Sequence, residues 1–371
     1  MSSIFTLGLS ESIDNSSSLA TGDLYDLVGH NTGNLAFHYG VNRIIGSVPP
    51  SLPWSAEADQ INKSGSIAIL PCANQLGAHA DMGEMAKTFS KVTVPLVAVG
   101  LGAQASAALD DIPALSSGTI QWLHEIADHS ISKNPNITTR GDFTIDVLDY
   151  YGFGHKAISL GCPSLFINNN KTLGEQLEDR YKSPFRKVAI AGGHTDHILM
   201  NKLEASLIRI MEHTRGAYIV QATDEVVALS RGDFPYVDES YKSTLASYLG
   251  LNYTGQELDD WINQYFISFY NIPAWMEYLR KFDLVIGTRV HGVMLAIQAG
   301  IPGLCIAYDS RIREICEKSK IPFVMVDQVM DGITLADIPS LIEFDGRVFD
   351  KNRASLHEKY KEFFFNNGIV C

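Results

Sequence analysis

Short apolar runs rich in Val, Ile and Ala recur along the chain, separated by stretches with helical spacing. The runs are Ile67–Leu70, Leu96–Val99, Ile158–Leu160, Val188–Ile190, Tyr218–Val220, Leu284–Ile286 and Gly303–Ala307. They are apolar at consecutive rather than alternate positions, as in parallel strands covered by helices on both faces. Helical spacing occupies Leu35–Ile45, Met82–Phe89, Ile120–His129, Phe143–Tyr151, Leu199–His213, Leu258–Phe269, Val293–Ala299 and Ile312–Lys318. A charged, aromatic helix, Lys351–Phe365, closes the chain. Alternation of this kind predicts an α/β fold with doubly wound sheets. The polar stretch Asn168–Arg186 opens on three asparagines and contains Ser183-Pro184, so it is the best candidate boundary. The predicted division is two Rossmann-like domains, 1–180 and 181–371, facing a cleft, with the last helix free to pack back on the first.

Composition narrows the picture. A chain of 371 residues exceeds one ordinary core, in keeping with two domains. No apolar run approaches the roughly 18 to 20 residues that span a bilayer. No Lys or Arg precedes Arg43 and there is no long apolar segment near the start, so no secretory signal is predicted. The net charge of -13 argues against broad nucleic-acid binding and against a strong pull to anionic lipid, but leaves room for a local basic pocket. The five cysteines are scattered and odd in number, which fits reduced thiols in the cytoplasm rather than a disulfide framework or a zinc site. The sequons at Asn15, Asn136 and Asn252 carry no meaning in that compartment.

In open α/β sheets ligands bind beyond the carboxyl ends of strands. Three Gly-rich segments fall there: Gly100–Gln104, Ala191–His194 and Gly287–His291. In the last, Thr288 can cap a following helix, and Arg289 and His291 stand at its start, where free N–H groups and the helix dipole favour an anion. Tyr308-Asp309-Ser310-Arg311 follows the next strand and brings a second guanidinium to the same edge. Arg140 precedes another helix, which Asp142 or Thr144 can cap. Each residue also has a structural reading: Arg289 in an interdomain salt bridge, His291 satisfied beneath a helix, and Arg140 and Arg311 solvated. His194-Thr195-Asp196-His197 has no further ligand at a recognisable spacing, so no metal is expected. Gly100-x-Gly102-x-x-Ala105 departs from a dinucleotide fingerprint because Asp110, Asp111 and Pro113 interrupt the helix that must follow.

Several segments taken together resemble the polysaccharide pyruvyltransferases, in that family's order, from about Asn31 to Pro322. His30–Ala36 is similar to their N-x-G-D/N-x-A loop, and Gly100–Gln104 to their G-x-G-x-Q turn. Arg140–Thr144, with Leu148 and Gly152, resembles their R-G/D-x-x-S/T…L…G element, and Gly161–Leu165 their G-C/D-P strand. Gly287–Gly292 and Tyr308–Arg311 resemble G-T-R-x-H-G and Y-D-x-K/R, which are the most specific. Asn34 stands where Asp is common, and Ser310-Arg311 where Pro-Lys is common; the second keeps the positive charge and makes it a fork. The resemblance implies a GT-B-like fold with phosphoenolpyruvate as co-substrate and no further cofactor or metal. It also implies a pyruvate ketal formed on two hydroxyls of a sugar or lipid-linked glycan in the cytoplasm, with peripheral association at the inner face of the membrane compatible with such an acceptor. Arg140, Thr288, Arg289, Gly292 and Arg311 would hold the donor. His291, expected near its ordinary pKa, would be the acid or bind phosphate, with Arg289 beside it in the catalytic step. Asn31, Gly33, Asn34, Gln104 and His194 would face the acceptor side. Trp54, Gln75 and His79 name no particular sugar. Two other readings are a GT-B glycosyltransferase using a nucleotide sugar and a non-catalytic anion-binding homologue.

Overall fold

The computed structural model describes residues 3–105, 111–193 and 198–371. Among the described residues twelve strands form two parallel sheets of six. The first contains β1 (Ile4–Leu7), β2 (Ser51–Leu52), β3 (Ile67–Pro71), β4 (Leu96–Leu101), β5 (Ile137–Thr139) and β6 (Ala157–Ser159), in the order β2-β1-β3-β4-β5-β6. The second contains β7 (Val188–Ala191), β8 (Ala217–Ile219), β9 (Phe266–Ile267), β10 (Leu284–Gly287), β11 (Gly303–Ala307) and β12 (Phe323–Met325), in the order β12-β11-β10-β7-β8-β9. The strand order reverses between β1 and β3 and between β7 and β10. These are the switch points at which doubly wound sheets open a crevice. The register Ile286↔Ile190 and Gly287↔Ala191 places the end of β10 directly beside the end of β7. Two doubly wound sheets facing one cleft are the GT-B-like arrangement expected.

The central strands β3, β4, β7, β10 and β11 are buried at every position, which is why they read as continuous apolar runs. One apolar layer is shared by both halves. It joins Ile69 and Val99 of the first sheet to Val285 and Ala189 of the second through the helices Asn34–Ile45 and Val290–Gln298. The last helix, Gly346–Asn366, packs back on the first half. There the Tyr360 hydroxyl donates to Gly161 O at 2.7 Å, and Asn367 Nδ2 to Pro135 O at 2.9 Å.

Sequence patterning did not foresee β1, β2, β5, β9 and β12, which run from two to four residues each. Strands this short carry too little periodicity to register. The helix expected over Leu258–Phe269 is Gln256–Tyr265; Phe266-Ile267 leaves it to pair with Tyr218-Ile219 at the sheet edge. The rings of Tyr218 and Phe266 stack with centroids 4.8 Å apart, so a cross-strand aromatic pair overrides local helix spacing here. The polar stretch between β6 and β7 is not all loop. It holds the helix Leu173–Tyr181, whose Leu173 and Leu177 are buried in the shared layer.

Candidate active site

The site is assembled at the second sheet's switch point. Gly287 ends β10 at φ +155°, and a Cβ there would stand 2.2 Å from Ala191 O on β7, so only glycine fits. Arg289, not Thr288, is the N-cap of the helix Val290–Gln298, and no side chain caps it. The Thr288 hydroxyl is instead buried without a hydrogen-bond partner. The start of this helix is therefore left to a ligand or water.

Three arginines from both sheets converge on a cleft of about 780 Å³. Arg289 is only 7% exposed, and its Nε and Nη2 have no partner. No carboxylate pairs with it among the described residues, so the salt-bridge reading of Arg289 does not hold. Arg311 leans on Asp309, with Nη2 to Oδ2 at 3.4 Å, and keeps a buried Nε without a partner. Arg140 is fully buried rather than solvated. Its Nε donates to Gly100 O at 2.8 Å and its Nη2 to Cys72 O at 2.9 Å, while Nη1 is unpartnered. Its guanidinium lies 4.9 Å from the centroid of the Phe37 ring. Burial lowers the pKa of Arg140 and Arg289, whereas at Arg311 burial is the largest influence but Asp309, Tyr308 and Glu314 together overcome it and raise the pKa. All three remain charged at working pH. Against them the cleft sets one carboxylate, Asp309, giving the lining a formal charge of +2 within a chain of -13.

His291 lines the same cleft and is 6% exposed. Its Nε2 lies 3.6 Å from Cys162 Sγ, which in turn lies 3.1 Å from Ser164 Oγ. Burial first, then Arg140 and Arg311, hold its pKa well below the ordinary histidine value. The expectation of an unperturbed histidine is thus corrected: these surroundings favour the neutral imidazole.

The remaining expected residues divide. Asn31, Asn34 and Gln104 line the cleft, but Asn31 and Asn34 are also tied to their own loop and Gln104 to the loop after β3. Asn31 Oδ1 accepts from Gly33 N at 2.8 Å, Asn34 Nδ2 donates to Gly29 O at 2.9 Å, and Gln104 Oε1 accepts from Asn74 Nδ2 at 3.0 Å. Gly33 and Gly292 do not line it. Both close around the Gln221 amide, where a Cβ would stand 2.5 Å from Oε1 and 2.8 Å from Nε2 respectively. The Gly292 N–H is used by Arg289 O, so Gly292 serves packing rather than contact with a ligand. His194 lies outside the described residues.

Sequence reasoning passed over His38, Asn74 and Tyr25, which also line the cleft, and assigned no role to Tyr308 within its motif or to Trp54, Gln75 and His79. Burial and Arg140 push His38 down to about 3, so it too is neutral. The signal that could have found Asn74 and Gln75 was present, since they follow the carboxyl end of the correctly placed strand β3. Among the described residues no group of three His, Cys, Asp or Glu could hold a metal ion, and no helix is long and apolar enough to cross a membrane.

No curated protein matches the chain. Among solved structures it is similar to Staphylococcus aureus MnaA with UDP, at 10% identity and a TM-score of 0.47, covering 100% of this chain and 98% of that one. Anabaena Alr3699/HepE with UDP and glucose is similar at 11% identity and a TM-score of 0.43, covering 99% and 98%. An uncharacterised Klebsiella pneumoniae protein is similar at 11% identity and a TM-score of 0.42, covering 86% and 92%. Likenesses this distant say nothing about a ligand. Residues 31–310, which include Arg140, Arg289 and His291 and end one position before Arg311, match the family model for polysaccharide pyruvyl transferase, and the chain belongs to that family.

Proposed function

We propose that the cleft binds phosphoenolpyruvate and transfers its pyruvyl group to two hydroxyls of a sugar, forming a ketal and releasing phosphate. The observation that carries this reading is the set of three buried guanidiniums, each with at least one nitrogen left without a partner. An orphaned buried cation costs several kcal/mol, so the site is built for an anion that arrives later. Phosphoenolpyruvate brings a phosphate and a carboxylate close together, which suits several converging forks.

His291 acquires a proton once the donor's charge offsets Arg140 and Arg311, and delivers it to the methylene carbon. The cationic carbon so formed takes the first sugar hydroxyl. The second hydroxyl then adds at the same carbon as phosphate leaves. Two protons depart from the acceptor; overall one is accounted for in the new methyl group and one on the phosphate. The polar and aromatic lining on the first sheet's side, with Trp54, Asn74, Gln75 and His79, suits a sugar.

The test is phosphate release from phosphoenolpyruvate across a panel of free and lipid-linked galactosides, mannosides and N-acetylhexosamines. Acceptor-dependent release with a ketal product supports the reading. Turnover of a nucleotide sugar with phosphoenolpyruvate untouched would replace it with a glycosyltransferase, and binding without any release would leave an anion-binding homologue.

A further inference from the structure

The helix Ser310–Ser319 begins beside the cleft and carries three polar contacts to the opposite half, at four-residue intervals. Ser310 Oγ accepts from Ala105 N at 3.0 Å. Glu314 accepts from Thr144 N at 3.0 Å and from Thr144 Oγ1 at 2.6 Å. Lys318 Nζ donates to Asp142 Oδ1 at 2.9 Å. Positions spaced by four lie on one face of a helix, so these residues form a single stripe.

The middle contact is unusual. Helix Asp142–Tyr150 has Gly141 as its N-cap and makes no side-chain cap of its own. Its first turn is capped by Glu314, 170 residues away in the chain. Neither Asp142 nor Thr144 caps it, contrary to the sequence expectation. A Cβ on Gly141 would stand 2.5 Å from Glu314 Cβ, so the glycine is what lets the carboxylate in. Glu314 is 2% exposed; the helix's free N–H groups and dipole offset part of the cost of burying its carboxyl, and burial still dominates and raises its pKa.

The stripe matters because of what adjoins it. Arg140 immediately precedes Gly141, and Arg311 immediately follows Ser310. The stems of these two arginines both pack against Gly102, where a Cβ would lie 3.2 Å from Arg140 Cδ and 3.6 Å from Arg311 Cγ. Arg140 is fixed to the first sheet and Arg311 to the second, so their separation is the separation of the two halves at this point.

We infer that Glu314 is a positioning residue: by capping Thr144 across the cleft it holds Arg140 and Arg311 at the spacing that grips a two-headed anion. The stripe at 310, 314 and 318 is then the clasp of the cleft, and it acts on donor affinity rather than on the chemistry. The inference deepens the proposed donor role of these arginines, so its test uses a probe that requires no turnover.

Inorganic phosphate binding and the distance between spin labels at Tyr150 and Tyr253, in a Cys371→Ser background, are measured for wild type, Glu314→Gln and Glu314→Ala. The glutamine keeps an acceptor for Thr144 N and a group facing Thr144 Oγ1, so it should bind phosphate within about threefold of wild type. The alanine should bind about tenfold more weakly, equivalent to about 1.4 kcal/mol, with a longer or broader distance distribution. If Glu314→Ala does not fold, the double variant Ser310→Ala/Lys318→Ala must show the same two changes. A variant that loses only thermal stability, with wild-type phosphate affinity and wild-type distances, overturns the clasp. Absence of phosphate binding by the wild type overturns the donor reading itself, and the clasp with it.

Discussion

Replacing Arg289 with methionine separates a binding arginine from a structural one. A structural arginine loses stability when removed. Arg289 instead has two buried nitrogens without partners, at 7% exposure, and its burial is uncompensated. Each orphaned donor costs about 1–3 kcal/mol in the empty protein. Methionine fills most of the volume without that cost, so Arg289→Met should raise the unfolding free energy of the ligand-free protein by on the order of 2 kcal/mol. The same substitution removes a charge-assisted contact worth about 1.5–3 kcal/mol to the bound anion, or roughly 10- to 150-fold in affinity for phosphoenolpyruvate. Urea denaturation without ligand and calorimetry with phosphoenolpyruvate read the two effects separately. A variant that is less stable and binds phosphoenolpyruvate as tightly as wild type refutes the reasoning.

Other consequences are as direct. His291→Ala should lower kcat by about 10²- to 10⁴-fold, the range of a general acid, while leaving phosphate affinity nearly intact; full activity would remove the acid assignment. Since burial, Arg140 and Arg311 hold His291 well below its ordinary pKa, donor binding at pH 6–7 should be accompanied by proton uptake. Calorimetry in buffers of different ionisation enthalpy detects it, and His291→Gln should abolish it. Glu314 has its pKa raised to about 7 by burial, opposed by Thr144 and Arg140 and aided by Asp142. The native state therefore keeps this proton to higher pH than the unfolded chain, and wild type should lose about 3 kcal/mol relative to Glu314→Gln as pH rises from about 4.5 to 7. Equal pH profiles of the two in urea melts would contradict that. Cys162→Ala removes the thiol that touches His291 Nε2, so kcat should fall about tenfold or less and the pH limb should move, with phosphate affinity unchanged.

What was legible in the sequence follows from where the information is local. The central strands are apolar on both faces because helices cover them on both sides, and that pattern survives in sequence. Gly287, Arg289 and His291 were found because strand, turn and helix start lie within a few residues of one another. The edge strand Phe266-Ile267 was hidden because its partner, Tyr218-Ile219, is distant in sequence. Non-local partners also hid the roles of other residues. Arg140 was legible as a donor candidate, but its full burial between Gly100 O and Cys72 O was not, nor was the cap that its helix takes from Glu314. Thr288 is a favourable cap by residue type, yet the sharp turn after Gly287 gives that position to Arg289. The low pKa of His291 is likewise a tertiary effect, since two of its three causes are arginines that sequence spacing could not place around it.

The central claim is that this cleft protonates and transfers the enol carbon skeleton of phosphoenolpyruvate. It is tested most directly by running the reaction in deuterium oxide and examining the methyl group of the product. Delivery of a solvent-exchangeable proton by His291 predicts a ketal methyl carrying one solvent deuteron, formed in step with phosphate release and lost in His291→Ala. A product retaining the methylene of an enol ether, or a glycosylated acceptor formed while phosphoenolpyruvate is unchanged, would contradict the account.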